Sequence, residues 1–233
     1  MTANTVSIIT INYGKADLVN NFLISIQNSP DSSLIYEVII VDNGYPEKGD
    51  SRDVINPFSF PFRIKFVQNP ECSYASGVNR GVAESTGDFL VIANNDVELL
   101  PNYSFRPLIE HLEQNPHVGI VGPQQIYPDG SWQRSYGSFP SLKEAIMSLT
   151  MLDSIWNEFR RVAFHHNWLA KYPKKVDYIN GAFMVVRRSC FDDLGGFDEG
   201  YTFYAEEADF CWRAWKKGWK VIFIPSVRVM HLR

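Results

Sequence analysis

Short apolar runs that end on Asn, Asp or Gly recur along the first half of the chain, and most lead into a stretch of helical periodicity. Residues 6–11 (Val-Ser-Ile-Ile-Thr-Ile) form the first run, closed by Asn12-Tyr13-Gly14. Leu18, Phe22, Leu23 and Ile26 then repeat at helical spacing and predict a helix over 16–27. A second run, 36–41, stops at Asp42-Asn43-Gly44, and the Gly-, Pro- and Ser-rich stretch 44–62 reads as a loop. Residues 63–68 predict a short third strand. A helix is predicted over 74–85, carrying Val78 and Val82 beside the small residues Ala75, Gly77, Gly81 and Ala83. Phe89-Leu90-Val91-Ile92-Ala93 is unbroken by polar residues and gives way to Asn94-Asn95-Asp96, as expected of a strand buried on both faces. A helix over 101–114 follows. Strand–helix alternation across 1–115 predicts an α/β fold with a doubly wound, parallel sheet.

The second half has a different texture. Residues 118–121 read as a strand and 124–136 as a hairpin turning at Asp129-Gly130. Residues 141–170 have a helical pattern. It contains His165-His166, whose side chains would diverge by about 100° on a helix and so suit exposed residues better than shared metal ligands. An apolar strand is predicted over 177–186, with Gly181 admitting close backbone approach; 194–200 reads as a Gly-rich loop. The helix over 206–217 has Glu206, Glu207 and Asp209 in its first turn, lysines in its last and Gly218 after it. Such a layout complements the helix dipole, so charge alone identifies no site. On a helical wheel Ala208, Cys211, Trp212 and Trp215 define a buried stripe. Glu207 lies roughly 40° from Cys211 at its edge, with Glu206 almost opposite. A carboxylate beside aromatics is partly desolvated, which suits a general base. Strands over 220–224 and 227–230 precede His231.

Composition narrows the class. Hydrophobic content of 45% and charged content of 21% are those of a soluble enzyme. A net charge of -4 argues against nucleic acid as a partner. No apolar run approaches the ~20 residues that span a bilayer. The N-terminus lacks a basic region and reads as a first strand, not a signal peptide. Cys72, Cys190 and Cys211 lack metal-ligand spacing and suggest free thiols in a reducing cytoplasm. Neither a Gly-x-Gly-x-x-Gly nor a P-loop follows the first strand, which excludes the usual dehydrogenase and nucleotide-triphosphatase designs.

Candidate chemistry gathers at the strand ends. Ligands of parallel sheets bind beyond the carboxyl ends of the strands, where Asn12, Asp42 and Asn94-Asn95-Asp96 should share one edge. Asp96 beside two amides suits a divalent cation carrying phosphate oxygens. A helix cap or turn is the competing account of the same residues.

In motif order and spacing, over nearly its whole length, the chain resembles the inverting glycosyltransferases of family 2, which have the GT-A fold. The resemblance rests on 6–13, on Val38-Ile39-Ile40-Val41-Asp42-Asn43, on Gly77-Val78-Asn79-Arg80-Gly81, on Gly87-Asp88 through Asp96, on Glu206-Glu207-Ala208-Asp209 and on His231. It implies a Rossmann-like, mostly parallel sheet with helices on both faces and a C-terminal acceptor-side lobe. It also implies one domain over 1–233, with a nucleotide-sugar half (1–115) and an acceptor and catalytic half (116–233). Thr10, Asn12, Asp42, Asn79, Asn94 and Asn95 would bind the nucleotide, with residues 77–81 forming a helix over it. Asp96, in the family's Asp-x-Asp motif with Asn94 in place of the first acid, and His231 would hold Mg²⁺ or Mn²⁺. Glu207 takes the position of the base, and Glu206, Asp209, Trp132 and Arg134 would contact acceptor or donor. Residues 128–135 (Pro-Asp-Gly-Ser-Trp-Gln-Arg-Ser) look like the rhamnosyltransferase-like branch that builds bacterial surface polysaccharides.

The implied partners are a nucleotide-diphosphate sugar and a glycan or lipid-linked glycan acceptor, in the cytoplasm or at the inner face of its membrane. The residues point to no particular oligomeric state. The basic, aromatic stretch 213–220 suits either a peripheral membrane contact or a solvated helix end packed by its tryptophans. An end just after His231 is what a trimmed longer chain would look like. With Asn94 for an acid, a catalytically silent sugar-nucleotide-binding domain is the second reading. A sugar-nucleotide pyrophosphorylase is disfavoured, because no basic Gly-rich loop lies between Asn12 and Asp42.

Overall fold

The computed structural model describes residues 5–44, 50–139, 172–201 and 204–232, and one mixed sheet organises them. The predicted helix over 141–170, with His165-His166, lies outside the described residues. Strands β1 (Val6–Asn12), β2 (Ile35–Asn43), β3 (Arg63–Asn69) and β4 (Phe89–Asn94) lie side by side in the order β3-β2-β1-β4, all parallel. β1 is buried along its whole length, Ser7 and Thr10 included. Its alternate side chains feed two cores. Ile8, with Val38, Ile40 and Val91, packs on Val19, Phe22, Leu23 and Ile26 of α1 (Ala16–Asn28). The stretch read as loop holds one helical turn, α2 (Ser51–Val54), capped by the Asp50 carboxylate. Ile9 and Ile11, with Ile39 and Val41, pack on the other side against Val78 and Val82 of α3 (Tyr74–Ala83).

The glycines of α3 explain its closeness to the sheet. A Cβ on Gly81 would come 2.5 Å from Ile9 Cγ2, and one on Gly77 would come 2.9 Å from Asn43 Oδ1. Residues 77 and 81 therefore seat the helix on β1 and β2, and their missing side chains face the sheet, not a nucleotide.

After β4 come β5 (Val97–Leu99) and α4 (Arg106–Gln114). The predicted helix start at 101 is too early. Asp31, from the far end of α1, accepts hydrogen bonds from the Phe105 and Arg106 N–H groups and fixes the start there. β6 (Val118–Ile126) leads into the predicted hairpin: Gly130 takes φ 80° and Ile126 bridges Trp132. The remaining elements are β7 (Tyr136–Gly137), β8 (Lys174–Lys175), β9 (Tyr178–Ile179), β10 (Phe183–Arg187), α5 (Arg188–Leu194), α6 (Glu206–Lys216) and β11 (Lys220–His231). The sheet continues from β4 through β10, β6 and β11 to β5, with β8 on β11, while β7 and β9 pair separately. β6 and β11 are parallel, and β10 runs antiparallel between β4 and β6.

Three details differ from the sequence pattern. The run 177–186 is two strands separated by a turn at Gly181-Ala182, and α5 occupies a stretch too short to show periodicity. The two last strands are one, with an irregularity between Ile224 and Arg228 around Pro225. Helices cover both faces: α1 and α4 contribute to one core, α3, α5 and α6 to the other. Because β10 reverses direction, its first residues and the Gly181 turn lie beside the carboxyl end of β4. That places a segment of the second half at the edge where the first half keeps its polar residues.

Candidate functional site

The parallel register sets Asn12 opposite Asp42, and Ile11 opposite Asn94. Three strand ends thus share one edge, as predicted. Asn12 donates to Asp42 Oδ1 at 2.8 Å and to Ser51 Oγ at 2.9 Å, while Ser51 Oγ donates to Asp42 Oδ1 at 2.6 Å. Asn12 Oδ1 accepts from the Lys15 N–H and from Asn95 Nδ2, at 2.8 and 3.3 Å. Burial pushes the Asp42 carboxyl above its ordinary range, against the pull of the Ser51 and Asn12 hydrogen bonds. Ser51, on α2, was not singled out from sequence; its only signal is the capping acid just before it.

Two expected nucleotide contacts sit elsewhere. Thr10 is 0% exposed, with its hydroxyl unpartnered, beneath the layer a ligand could touch. Asn79 donates to Phe197 O at 2.9 Å and to Glu199 Oε1 at 2.7 Å and accepts from the Phe197 N–H, so its amide pins the loop after α5 to α3.

Asp96 follows β4 directly, and the pairing of β11 with β5 sets His231 opposite Val97. The Leu232 N–H donates to Asp96 O, and His231 Nε2 lies 3.3 Å from Asp96 Oδ1. Residues 135 positions apart in sequence therefore meet, both largely buried. On the other side of the ring, His231 Nδ1 is 2.9 Å from Gln133 Oε1. A carboxamide oxygen accepts a proton on Nδ1, so Nε2 faces the carboxylate either as the second N–H of an imidazolium or, in the neutral ring, as a lone pair. In the neutral ring a cation shared by the two would satisfy both, and one carboxylate oxygen with one imidazole nitrogen suits Mg²⁺ or Mn²⁺ completed by phosphate and water. Among the described residues no group of three His, Cys, Asp or Glu side chains is placed to hold an ion, so such a site needs ligands from the substrate.

The acids of α6 approach the same edge. A Cβ on Gly181 would rest 3.6 Å from Glu207 Cβ and 3.7 Å from its Cγ and Cδ, so Glu207 lies across the Gly181 turn. Tyr74, at the start of α3, donates its hydroxyl to Gly181 O at 3.1 Å. Burial first, then the negative charges of Glu207 and Glu206, hold the Tyr74 phenol well above its usual range. Burial raises the Glu207 carboxyl above its ordinary value, and the charge of Glu206 adds to the effect.

The wheel reading of α6 needs correction. Its buried residues are Glu206, Phe210, Cys211 and Ala214, whereas Trp212 is 43% exposed. The stripe is rotated because Phe210 stacks on Phe197, with ring centroids 4.5 Å apart. Glu206, expected to point away, is 6% exposed; its Oε2 has no hydrogen-bond partner and burial raises its carboxyl. The helix also starts under strain, with Tyr204 and Ala205 at φ 68° and 71° and no side chain capping it.

Other candidates have structural partners. Asp209 binds Arg213 at 2.7 Å, and Arg213 in turn donates to the Leu194 and Gly196 carbonyls, tying α5 to α6. Trp132 packs against the Arg228 guanidinium, and exposed Arg134 donates to its own neighbour, Tyr136 O. In the 213–220 stretch, the Trp215 and Trp219 indole N–H groups are bonded to the protein. The packed-end reading holds for those two tryptophans.

The model of the family described as glycosyl transferase family 2 matches residues 7–195. The chain belongs to that family. An N-acetylglucosaminyl-diphospho-decaprenol L-rhamnosyltransferase of Mycobacterium tuberculosis is 28% identical over 96% of this chain and 75% of its own length. Rhamnosyltransferase WbbL of Escherichia coli is 39% identical over 56 residues, 24% of this chain and 21% of that protein. This is therefore a family 2 glycosyltransferase, similar in sequence to rhamnosyltransferases.

Two solved structures share the architecture, which is that of the GT-A glycosyltransferases. GalNAc-T7 with UDP, GalNAc and Mn²⁺ superimposes with a TM-score of 0.71 at 15% identity, over 99% of this chain and 43% of that one. The mannosyltransferase PcManGT of Pyrobaculum calidifontis, in complex with GDP-Man and Mn²⁺, gives 0.63 at 20% identity, over 98% and 56%. The chain thus spans only about half the length of either.

Proposed function

We propose that this chain transfers a sugar, with inversion, from a nucleoside-diphosphate donor to a hydroxyl of a glycan or lipid-linked glycan. L-Rhamnose is the sugar that the name of the mycobacterial relative favours. The observation that carries the reading is that Asp96 and His231 meet at the sheet edge where the Gly181 turn, on which Glu207 lies, joins the end of β4. In the transfer, the acceptor oxygen attacks the anomeric carbon as the bond to the diphosphate oxygen breaks. Glu207 takes the acceptor's proton, and its raised proton affinity suits it to that role. A divalent cation held by Asp96 and His231 would neutralise charge on the departing diphosphate. Asn12, Asp42, Asn94 and Asn95 frame the nucleotide side, and the unbroken sheet from β3 to β5 supports a single domain.

Sugar transfer from a panel of nucleotide-activated sugars tests the proposal. Glu207→Gln should lower turnover by about 10²–10⁴-fold with nucleotide binding kept; an unchanged rate would remove Glu207 as the base. Asn94, where the family motif has an acid, favours one rival, a silent sugar-nucleotide-binding domain. Donor hydrolysis by the wild-type chain, lost in Glu207→Gln, would dispose of it.

No helix among the described residues is long and apolar enough to cross a membrane. The surface around α6 nevertheless suits a peripheral contact with an anionic bilayer. Trp212 is exposed with Lys216 Nζ 3.8 Å from its ring, Lys175 caps Trp215 at 3.6 Å, and exposed Lys174 and Lys220 lie nearby. Co-sedimentation with phosphatidylglycerol vesicles but not with phosphatidylcholine vesicles is expected, and equal recovery with both would end the idea.

A further inference from the structure

The geometry points to Gln133 as the residue that positions His231 for a cation. This rests on the metal reading given above. Gln133 lies on the returning arm of the hairpin after β6, and its main chain is tightly held. Its N–H donates to Gln125 O at 3.0 Å, and its carbonyl accepts from Gln124 Nε2 at 2.8 Å and Ser135 Oγ at 2.9 Å. From that anchored position Oε1 reaches His231 Nδ1 at 2.9 Å. The imidazole is therefore flanked along its own axis, by the carboxamide at one nitrogen and Asp96 at the other.

The chemistry of a carboxamide makes this more than packing. With Oε1 accepting a proton on Nδ1, the Nε2 lone pair of the neutral ring is directed at the space shared with Asp96, which is the tautomer a cation requires. Being neutral, glutamine does this without adding charge to the site. An aliphatic side chain could not accept from Nδ1.

Mn²⁺ with a nucleoside diphosphate, UDP and dTDP in parallel, is the probe, followed by electron paramagnetic resonance titration and by the ¹⁴N modulation that a coordinated imidazole imposes on the ion's spin echo. The wild-type chain should bind Mn²⁺ with a ¹⁴N signal that His231→Ala removes. Gln133→Leu should bind about tenfold or more weakly with a diminished ¹⁴N signal, the usual scale for losing such a supporting partner. Gln133→Glu should bind at least as tightly as wild type. Wild-type affinity in Gln133→Leu would overturn the role of Gln133 while leaving the metal reading intact. A wild-type chain with no ¹⁴N signal would sink the metal reading itself. Should the leucine variant not fold, Gln133→Glu still decides, because weaker binding there overturns the inference.

Discussion

Asp42 and Glu206 are carboxylates buried near the same sheet edge, yet their surroundings treat them in opposite ways. Asp42 is fully enrolled: Asn12 and the Ser51 hydroxyl share its Oδ1, and the Ser51 N–H reaches Oδ2. Its neighbours lie on regular strands and one capped helical turn. Glu206 keeps an oxygen without a partner, and the two residues before it hold left-handed backbone conformations that cost free energy in residues other than glycine. The first half of the site is thus a finished framework that a nucleotide could meet without rearrangement. The second half leaves polarity unanswered and stores strain, and that is where Glu207 stands. Strain and unsatisfied groups persist at places where function uses them.

Removing Glu207's carboxylate is the largest expected effect on this contrast, since it abolishes chemistry while leaving the framework untouched. The next largest acts on the framework. Asp42→Ala takes the acceptor from the Ser51 hydroxyl and from Asn12, and each buried donor left unpaired costs about 1–3 kcal/mol. Asp42→Asn keeps an acceptor and should recover most of the loss in a denaturant titration. If both variants match wild type, the Asn12, Asp42 and Ser51 cluster is not the brace inferred here.

The same contrast explains what was legible in the sequence. Strands β1, β2 and β4 announce themselves because burial on both faces keeps them mostly apolar, and their ends at Asn12, Asp42 and Asn94 stand out against those runs. The meeting of Asp96 and His231 was readable only through a resemblance, since β11 reaches β5 after most of the chain has been laid down. Glu206 was misjudged because the wheel assumed that tryptophans are buried, whereas Phe210 claims the place against Phe197 and leaves Trp212 outside. Tertiary packing set the rotation of that helix, and no local pattern encodes it. The inward placement of Thr10 and Asn79 was hidden for a related reason. A strand residue and a helix residue near a cleft can point into the protein, and only the sheet's neighbours decide. Gln133 left no signal at all, because it acts on a histidine in a remote segment.

A smaller effect tests the join between the halves. Tyr74→Phe removes one hydrogen bond to Gly181 O, a loss of about 0.5–1.5 kcal/mol in stability. Because that turn supports Glu207, turnover should fall while nucleotide binding is kept. A drop in binding instead would place Tyr74 in the nucleotide half.

The subtlest expectation concerns pH. Burial raises the folded-state proton affinity of Glu206, and of Glu207 beside it, above the ordinary value of 4.5. The folded protein then holds protons that the unfolded chain has already released. Their contribution to stability is complete below the ordinary carboxylate value and is lost as pH rises through the raised, folded value. Glu206→Gln removes one of the two contributions. Relative to wild type, that variant should be more stable at about pH 8 than at about pH 4, as read by thermal melting at both. Glu207 would also lose a negative neighbour, so the acid limb of the rate profile should move to lower pH. A stability difference that stays flat across this range would mean that Glu206 titrates as an ordinary exposed acid. The contrast with Asp42 would then lose its physical basis.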